Sequence, residues 1–173
     1  MWHKGVHTLI EAARRVPAGR IETLIFGDTD TFPEYTAELR RLAANAPIRF
    51  MGRFDRHQSA AVYAHFDVLV VPSIWLENSP LVIHEAYMAG VPVIGSRIGG
   101  IPDLVEDGVS GLLVDPGSPD ALAHALCTLA ADRPRLAAMA ARLPAVKSID
   151  GDAGEWEAIY LSLASRARPG TAS

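Results

Sequence analysis

The sequence contains almost no cysteine and no long hydrophobic run. Its single cysteine, Cys127, excludes an internal disulfide and lies among Leu122, Leu126 and Leu129 at helical spacing, which is typical of a core residue. No apolar stretch reaches the roughly 20 residues that a membrane-spanning helix requires. No secretory signal precedes the first predicted helix. A cytoplasmic protein is therefore expected.

Positive charge is also scarce. The chain has 16 Lys and Arg residues against 20 Asp and Glu residues, so the net charge of −4 gives no basic surface for nucleic acid. The 173 residues are 49% hydrophobic, which is enough to bury the core of one globular domain. We assign residues 1–165 to that domain. Residues 166–173, which are polar and contain Pro and Gly, are expected to form a flexible tail.

Strand and helix patterns alternate along the chain. Strands are predicted at 21–26, 48–51, 68–71, 91–95 and 112–114, and helices at 9–16, 34–44, 58–65, from 80, from 119, at 133–143 and around 155–160. This alternation predicts an α/β fold with a doubly wound, Rossmann-like parallel sheet. Such sheets bind ligands at the carboxyl ends of their strands, where Gly27, Gly52 and Glu77 are placed.

The segment from Val70 to Ala86 predicts an anion site at a helix start. A β-branched strand is followed by Ser79, the expected N-cap, and by Pro80, the expected first helical residue. The amides of Leu81 and Val82 would then lack intrahelical acceptors at the positive end of the helix. Such a helix end attracts phosphate.

Two glutamates, Glu77 and Glu85, lie on either side of this helix start, with seven residues between them. At about 100° per residue, Glu85 falls on the apolar side of the helix, so its carboxylate needs a donor. A ligand's sugar hydroxyl or a neighbouring side chain could supply it. Glu77 is either a ligand contact or a partner of the helix dipole. The histidines show no metal-ligand spacing, so no metal site is predicted.

Several segments, in order, resemble the retaining GT-B-fold glycosyltransferases of family 4, the group 1 class. Residues 72–93, with the two glutamates, are similar to that family's donor-site signature. Residues 4–12, 50–53, 90–94, 99–105 and 107–114 follow the family in the same order. The resemblance covers residues 4–131 and implies the carboxy-terminal, donor-binding half of a GT-B fold.

The resemblance also implies an activity, namely transfer of a sugar with retention from a UDP- or GDP-linked donor to an acceptor hydroxyl, without a cofactor. Glu85 would bind the ribose, Glu77 would face the donor sugar, and Lys4 would contact the diphosphate. Three residues, Met51, Arg53 and Phe54, would frame the base, mainly through main-chain groups. The other implied donor contacts are Gly27, Asn78, Ser79, Pro80, Leu81 and Val82. Gly99 and Gly100 would let backbone approach the sugar closely, or they form an ordinary turn. The Asn78-Ser79-Pro80 loop departs from the Gly-Phe-Gly type that is common in the family, which leaves the identity of the sugar open.

Two parts of the family pattern have no counterpart in the sequence. One is the first strand, which ends in Gly-Arg before the lysine segment. Without that Arg, Lys4 would contact the diphosphate alone. Without the strand itself, the strands beginning at Ile21 and Val68 would face a groove with unpaired backbone. The other is the amino-terminal domain, through which a glycan or lipid-linked acceptor and a membrane surface would be reached. The chain alone is expected to be inactive. A GT-B nucleotide-sugar epimerase and a non-catalytic nucleotide-binding fragment remain alternatives.

Overall fold

Strands and helices alternate as predicted, in a computed structural model that describes residues 1–166. The strands are β1 (Thr23–Phe26), β2 (Ile48–Gly52), β3 (Leu69–Val71), β4 (Val93–Ser96) and β5 (Gly111–Val114). The α-helices are α1 (Val6–Arg15), α2 (Pro33–Leu42), α3 (Ser59–Tyr63), α4 (Leu81–Met88), α5 (Ile101–Leu104), α6 (Pro119–Ala131), α7 (Arg133–Ala140) and α8 (Ile149–Arg166). Short 3₁₀ turns cover Trp2–Lys4 and Arg56–Gln58.

All strand pairs among the described residues are parallel, but they form two sheets. Strand β1 pairs with β2, and β3, β4 and β5 form a second sheet in that order. The predicted α/β class with a doubly wound parallel arrangement is confirmed, and the strands divide into two sheets. The division lies between β1 and β3, where the sequence analysis expected a strand to be lacking and a groove to open.

Helices cover both faces of the three-stranded sheet. Successive side chains of each strand point to opposite faces, so each face contributes its own apolar side chains to a cluster with helices. Ile94 and Val114 pack in one cluster with α1 and α6. Val71 and Val93 point the other way and pack with Ile83 of α4 and with α5. This double cover explains why the strands are apolar without interruption.

Helix α1 joins the two sheets on one face. Its residue Ile10 is fully buried and packs with Leu39 of α2 in a cluster that includes Ile25 and Phe50 of β1 and β2. Leu9, the next residue on α1, belongs to the cluster of the three-stranded sheet. The described sheets are therefore held together by a shared helix and not by strand pairing.

Two helix starts with the same Ser-Pro signal behave differently. At α6 the prediction is confirmed, since the hydroxyl of Ser118 accepts a hydrogen bond from the amide of Ala121 at 3.2 Å. At α4 it is wrong, because the helix begins at Leu81 and Pro80 is the N-cap, with an extended ψ of 111°. The hydroxyl of Ser79 lies 3.2 Å from Nε2 of His84 and is engaged there.

Several predicted boundaries also shift. The strand predicted from Val91 begins at Val93, because the amide of Val91 bonds to the carbonyl of Ala86 at the end of α4. Helix α3 is shorter than the predicted 58–65. Helix α8 includes Arg166, which the sequence analysis assigned to the tail, and residues 167–173 lie outside the described residues.

Candidate functional site

The amino-terminal turn brings Lys4 to the carboxyl end of β3. The amide of Ile74, just beyond that strand, donates to the carbonyl of His3 at 2.9 Å. Gly5 has a φ of +69°, and a Cβ there would lie 1.8 Å from the carbonyl oxygen of Pro72. Only glycine permits both the left-handed backbone and this close approach. Nζ of Lys4 thereby reaches Oε1 of Glu77, 2.7 Å away.

Glu77 is held by two donors. The hydroxyl of Ser73, which is buried, donates to the same Oε1 atom that accepts from Lys4. Partial burial of Glu77 would raise its pKa, but the hydrogen bonds from Lys4 and Ser73 and the positive charge of Lys4 outweigh burial and lower it. The side chain of Glu77 is 14% exposed and that of Lys4 is 51% exposed. The carboxylate is therefore ionised, fixed in direction and still accessible.

Two glycines support the loop that carries Glu77. The amide of Gly100 donates to the carbonyl of Glu77 at 2.6 Å. A Cβ on Gly99 would lie 2.4 Å from that carbonyl oxygen, and one on Gly100 would lie 1.8 Å from the carbonyl oxygen of Asn78. Sequence reasoning expected these glycines beside a sugar and missed the contact with the protein's own backbone. Their only signal was the paired glycines themselves.

The start of α4 is open to solvent. Its first turn leaves the amides of Leu81 and Val82 without intrahelical acceptors. The amide of Ile83 turns back to the carbonyl of Pro80 at 3.0 Å. Leu81 and Val82 are exposed, as are Asn78 and Ser79 in the preceding loop. Two amide donors at the positive end of α4 are thus presented to solvent four residues after Glu77.

Glu85 finds its donor on a different helix. Oη of Tyr63, the last residue of α3, donates to Oε2 of Glu85 at 2.9 Å. Burial, the hydrogen bond to Glu85 and the charge of Glu85 all raise the pKa of Tyr63, so the phenol keeps its proton and donates at every physiological pH. Sequence reasoning predicted that Glu85 needs a donor but missed Tyr63, which lies 22 residues away.

The predicted base contacts lie near the ends of β1 and β2. Met51 and Arg53 are exposed, and the guanidinium of Arg53 pairs with Asp28. Hydrogen bonds from Thr31, the amide of Asp30 and Arg53 hold the pKa of Asp28 well below its usual range. The side chain of Arg53 is therefore paired within the protein. This pairing is compatible with the predicted contact to the base, which would be made by main-chain groups.

Four aromatic rings connect this region to Glu85. Phe54 packs edge-on against Phe26 of β1, with ring centroids 5.5 Å apart. Phe26 in turn meets Phe66 at 5.7 Å, and Phe66 meets Tyr63 at 5.7 Å. Gly27, which follows Phe26, has a φ of +153°, and a Cβ there would meet no atom within 4 Å. The strand end at Gly27 is consequently open.

Residues 1–166 lack two features that would indicate other kinds of site. In that range no three His, Cys, Asp or Glu side chains come together as a metal site requires. No helix there has both the length and the apolar character needed to cross a membrane. The groups described at the strand ends include carboxylates, the ammonium group of Lys4, the guanidinium group of Arg53, backbone amides and aromatic rings.

Known proteins are similar to this chain in sequence and in fold. Residues 1–132 match the family described as "Glycosyl transferases group 1". A D-inositol 3-phosphate glycosyltransferase of Corynebacterium glutamicum is 37% identical over 137 residues, which cover 75% of this chain and 32% of that protein. HepE of Anabaena, solved in complex with UDP, is 30% identical with a TM-score of 0.80, over 95% of this chain and 46% of that chain.

A third similar protein is sucrose-phosphate synthase of Thermosynechococcus elongatus, with 28% identity and a TM-score of 0.83 over 96% of this chain and 44% of that chain. The chain thus spans about a third of the length of the Corynebacterium relative and less than half of either solved structure. Its fold is the Rossmann-like half of a GT-B glycosyltransferase. The chain belongs to the group 1 glycosyl transferase family.

Proposed function

We propose that the chain is the donor-binding half of a retaining glycosyltransferase, which transfers a sugar from a UDP- or GDP-linked donor to an acceptor hydroxyl. The observation that carries this proposal is the open start of α4, flanked by Glu77 and Glu85, with Lys4 bonded to Glu77. The UDP complex of Anabaena HepE, whose fold this chain shares, supports a nucleotide-linked donor.

The diphosphate would lie between Lys4 and the first turn of α4. The ammonium group and the amides of Leu81 and Val82 are preorganised donors, and they stabilise the negative charge that develops as the sugar leaves. Lys4 is bonded to Glu77, so its half-exposed ammonium group must be shared with the phosphate or released to it. Charge neutralisation, and not a protein nucleophile, lowers the barrier.

Glu77 would face the donor sugar. Ser73 and Lys4 fix its carboxylate and keep it ionised. A fixed negative charge stabilises the positive charge that grows at the anomeric carbon in an oxocarbenium-like transition state, as glycosidase carboxylates do. Because Ser73 remains a donor when Lys4 turns to the phosphate, Glu77 keeps its direction during the reaction.

Glu85 would bind the ribose. Tyr63 occupies Oε2, which leaves Oε1 to accept from a ribose hydroxyl.

The remaining contacts with the sugar-nucleotide donor stay predictions, namely those of Gly27, Met51, Arg53, Phe54, Asn78, Ser79 and Pro80. So do the absence of a cofactor, a cytoplasmic location, a role in glycan synthesis, an acceptor bound by another domain and inactivity of this chain alone.

Calorimetric titration of UDP and of GDP into the chain tests the proposal. We expect one of the two nucleotides to bind, and we expect Glu85→Ala to weaken that binding at least tenfold, which corresponds to about 1.4 kcal/mol. Glu157→Ala, which removes an exposed glutamate of α8, is the matched control and should bind as the unchanged chain does.

Two results would contradict the proposal. One is a folded chain that binds neither nucleotide. The other is nucleotide binding that Glu85→Ala and Glu157→Ala leave equally unaffected, since the ribose would then lie elsewhere. Circular dichroism of each variant establishes that it is folded before the titration is interpreted.

A further inference from the structure

Two large apolar side chains are exposed directly before Glu77. The side chain of Trp75 is 65% exposed and that of Leu76 is 69% exposed. Exposed apolar side chains beside a polar site mark a surface for a partner or a ligand. We propose, on the basis of the proposed function, that the indole ring of Trp75 is a stacking surface for the acceptor, and that the acceptor presents a pyranose ring to it.

The loop that carries Trp75 is held on both sides. The amide of Ile74 donates to the carbonyl of His3 at 2.9 Å. The carbonyl of Glu77 accepts from the amide of Gly100 at 2.6 Å. The indole therefore projects from a fixed stretch of backbone, so little conformational entropy is lost when a ligand stacks on it.

One neighbour of the Trp75 ring is the imidazole of His3. The two ring centroids are 6.4 Å apart, and the ring planes are tilted by 56°. This contact covers part of the indole, whereas most of the side chain stays open to solvent. His3 directly precedes Lys4 in the amino-terminal turn. The open indole is thus tied to the turn that carries the residue proposed for the diphosphate.

A sugar ring matches both the indole and the carboxylate of Glu77. A pyranose presents C–H groups on the faces of its ring and hydroxyl groups around its edge. A face can cover the indole and remove apolar surface from water, while the hydroxyl groups bond to polar groups nearby. An aromatic surface combined with a few fixed polar groups is typical of sites for small molecules.

Charge argues against a membrane as the occupant of this surface. Tryptophan is also enriched at membrane interfaces. However, Glu77 lies two residues from Trp75, has a lowered pKa and keeps 14% of its side chain exposed. Entry of Trp75 into a bilayer would bring this ionised carboxylate toward apolar lipid, which is costly. A ring that carries hydroxyl groups instead offers donors to the carboxylate.

The link to Lys4 favours the acceptor over the donor sugar. Retention without a protein nucleophile requires the acceptor hydroxyl to approach the anomeric carbon on the face that the phosphate leaves. The hydroxyl oxygen bonds to the anomeric carbon, the bond from that carbon to the phosphate oxygen breaks, and the hydroxyl proton passes to that phosphate oxygen. The acceptor must therefore lie beside the diphosphate, where the turn of Lys4 and His3 meets Trp75.

Titration of methyl β-D-glucopyranoside, followed by NMR at the backbone amides of Leu76 and Glu77, tests this proposal. All ring substituents of this glucoside are equatorial, so both of its faces present C–H groups alone. The chain is first saturated with the nucleotide that it binds. We expect the glucoside to shift both amides, whereas sorbitol, an acyclic polyol, should leave them in place.

Three variants identify the stacking ring. Trp75→Ala should weaken glucoside binding at least about fivefold, and Trp75→Phe, which keeps an aromatic ring, should stay within about twofold of the unchanged chain. Trp156→Ala, which removes an exposed tryptophan of α8, is the matched control and should bind as the unchanged chain does. Circular dichroism establishes that each variant is folded.

Equal glucoside affinities of Trp75→Ala and Trp156→Ala would overturn the proposal. A nucleotide-saturated chain in which the glucoside shifts neither amide would also overturn it, and would leave the proposed function intact, because nucleotide binding is measured separately. A chain that binds neither UDP nor GDP would contradict the proposed function, and the assignment of the stacked ring to the acceptor would fail with it.

Two other occupants are distinguished by the same variant. If Trp75→Ala weakened the binding of UDP-glucose or GDP-glucose about fivefold more than that of the free nucleotide, the stacked ring would belong to the donor. If phosphatidylcholine vesicles bound the unchanged chain and not Trp75→Ala, the surface would be a lipid contact. Either result would overturn the assignment to the acceptor.

Discussion

Replacing Tyr63 by phenylalanine removes one hydroxyl and leaves the ring that packs against Phe66. Oη of Tyr63 donates to Oε2 of Glu85 at 2.9 Å, and Tyr63 is only 4% exposed. A hydrogen bond to a charged group contributes about 1.5–3 kcal/mol. Glu85 is half-buried, so water can replace part of the lost bond. We therefore expect Tyr63→Phe to lower the free energy of unfolding by about 1–2 kcal/mol at pH 7.

The same change should weaken nucleotide binding, because Glu85 loses the contact that fixes its direction. A loss of about 1 kcal/mol corresponds to a roughly fivefold weaker affinity. Tyr87→Phe is the matched control. Tyr87 is a buried tyrosine of α4. Its hydroxyl donates to the carbonyl of Leu104 and lies 3.0 Å from the hydroxyl of Ser110. It should lower stability without changing the affinity.

Urea unfolding gives the stability change from the midpoint, provided that the slope stays constant. Calorimetry with the nucleotide that the chain binds gives the affinity. The reasoning would be refuted if Tyr63→Phe were as stable as the unchanged chain, or if Tyr63→Phe and Tyr87→Phe altered the affinity equally. The first result would mean that the bond to Glu85 contributes nothing, and the second that the effect on binding is general.

Two further predictions concern the loop of Glu77. Gly100 has a φ of −82°, so Gly100→Ala adds no left-handed strain, but its Cβ would lie 1.8 Å from the carbonyl of Asn78. It should cost about 3 kcal/mol of stability in urea unfolding, more than Gly90→Ala, whose φ is +77° in open space; equal losses would contradict this. The last prediction concerns Glu77→Gln, which removes the carboxylate. The stabilisation that the lowered pKa of Glu77 provides is complete above the ordinary pKa near 4.5 and is lost as the pH falls through the lowered pKa. The variant should therefore have a lower urea midpoint than the unchanged chain at pH 7, and the difference should shrink as the pH is lowered toward 3; a constant difference would argue against this reasoning.

Local patterns were sufficient for the elements and for the position of the two carboxylates. The Ser118 cap formed as predicted, because its hydroxyl reaches the amide of Ala121. Ser79 carries the same signal, but its hydroxyl lies against the imidazole of His84, and no spacing rule shows which partner prevails. The need of Glu85 for a donor followed from the helical period. Its identity as Tyr63 depends on how α3 packs against α4, which is a tertiary contact.

The way α1 joins the two sheets has a consequence for partial unfolding. Cooperative opening units follow contiguous packing, and here the contacts of the layer of β1, α2 and β2 with the rest of the core include Ile10 of α1 and the ring contact between Phe26 and Phe66. That layer is thus the natural first unit to open without global unfolding. Its opening would release Gly27 and Met51 while Glu77 and Glu85, on the doubly covered sheet, stayed in place. The strand ends at Gly27 and Met51 would thus be lost first and the two carboxylates last.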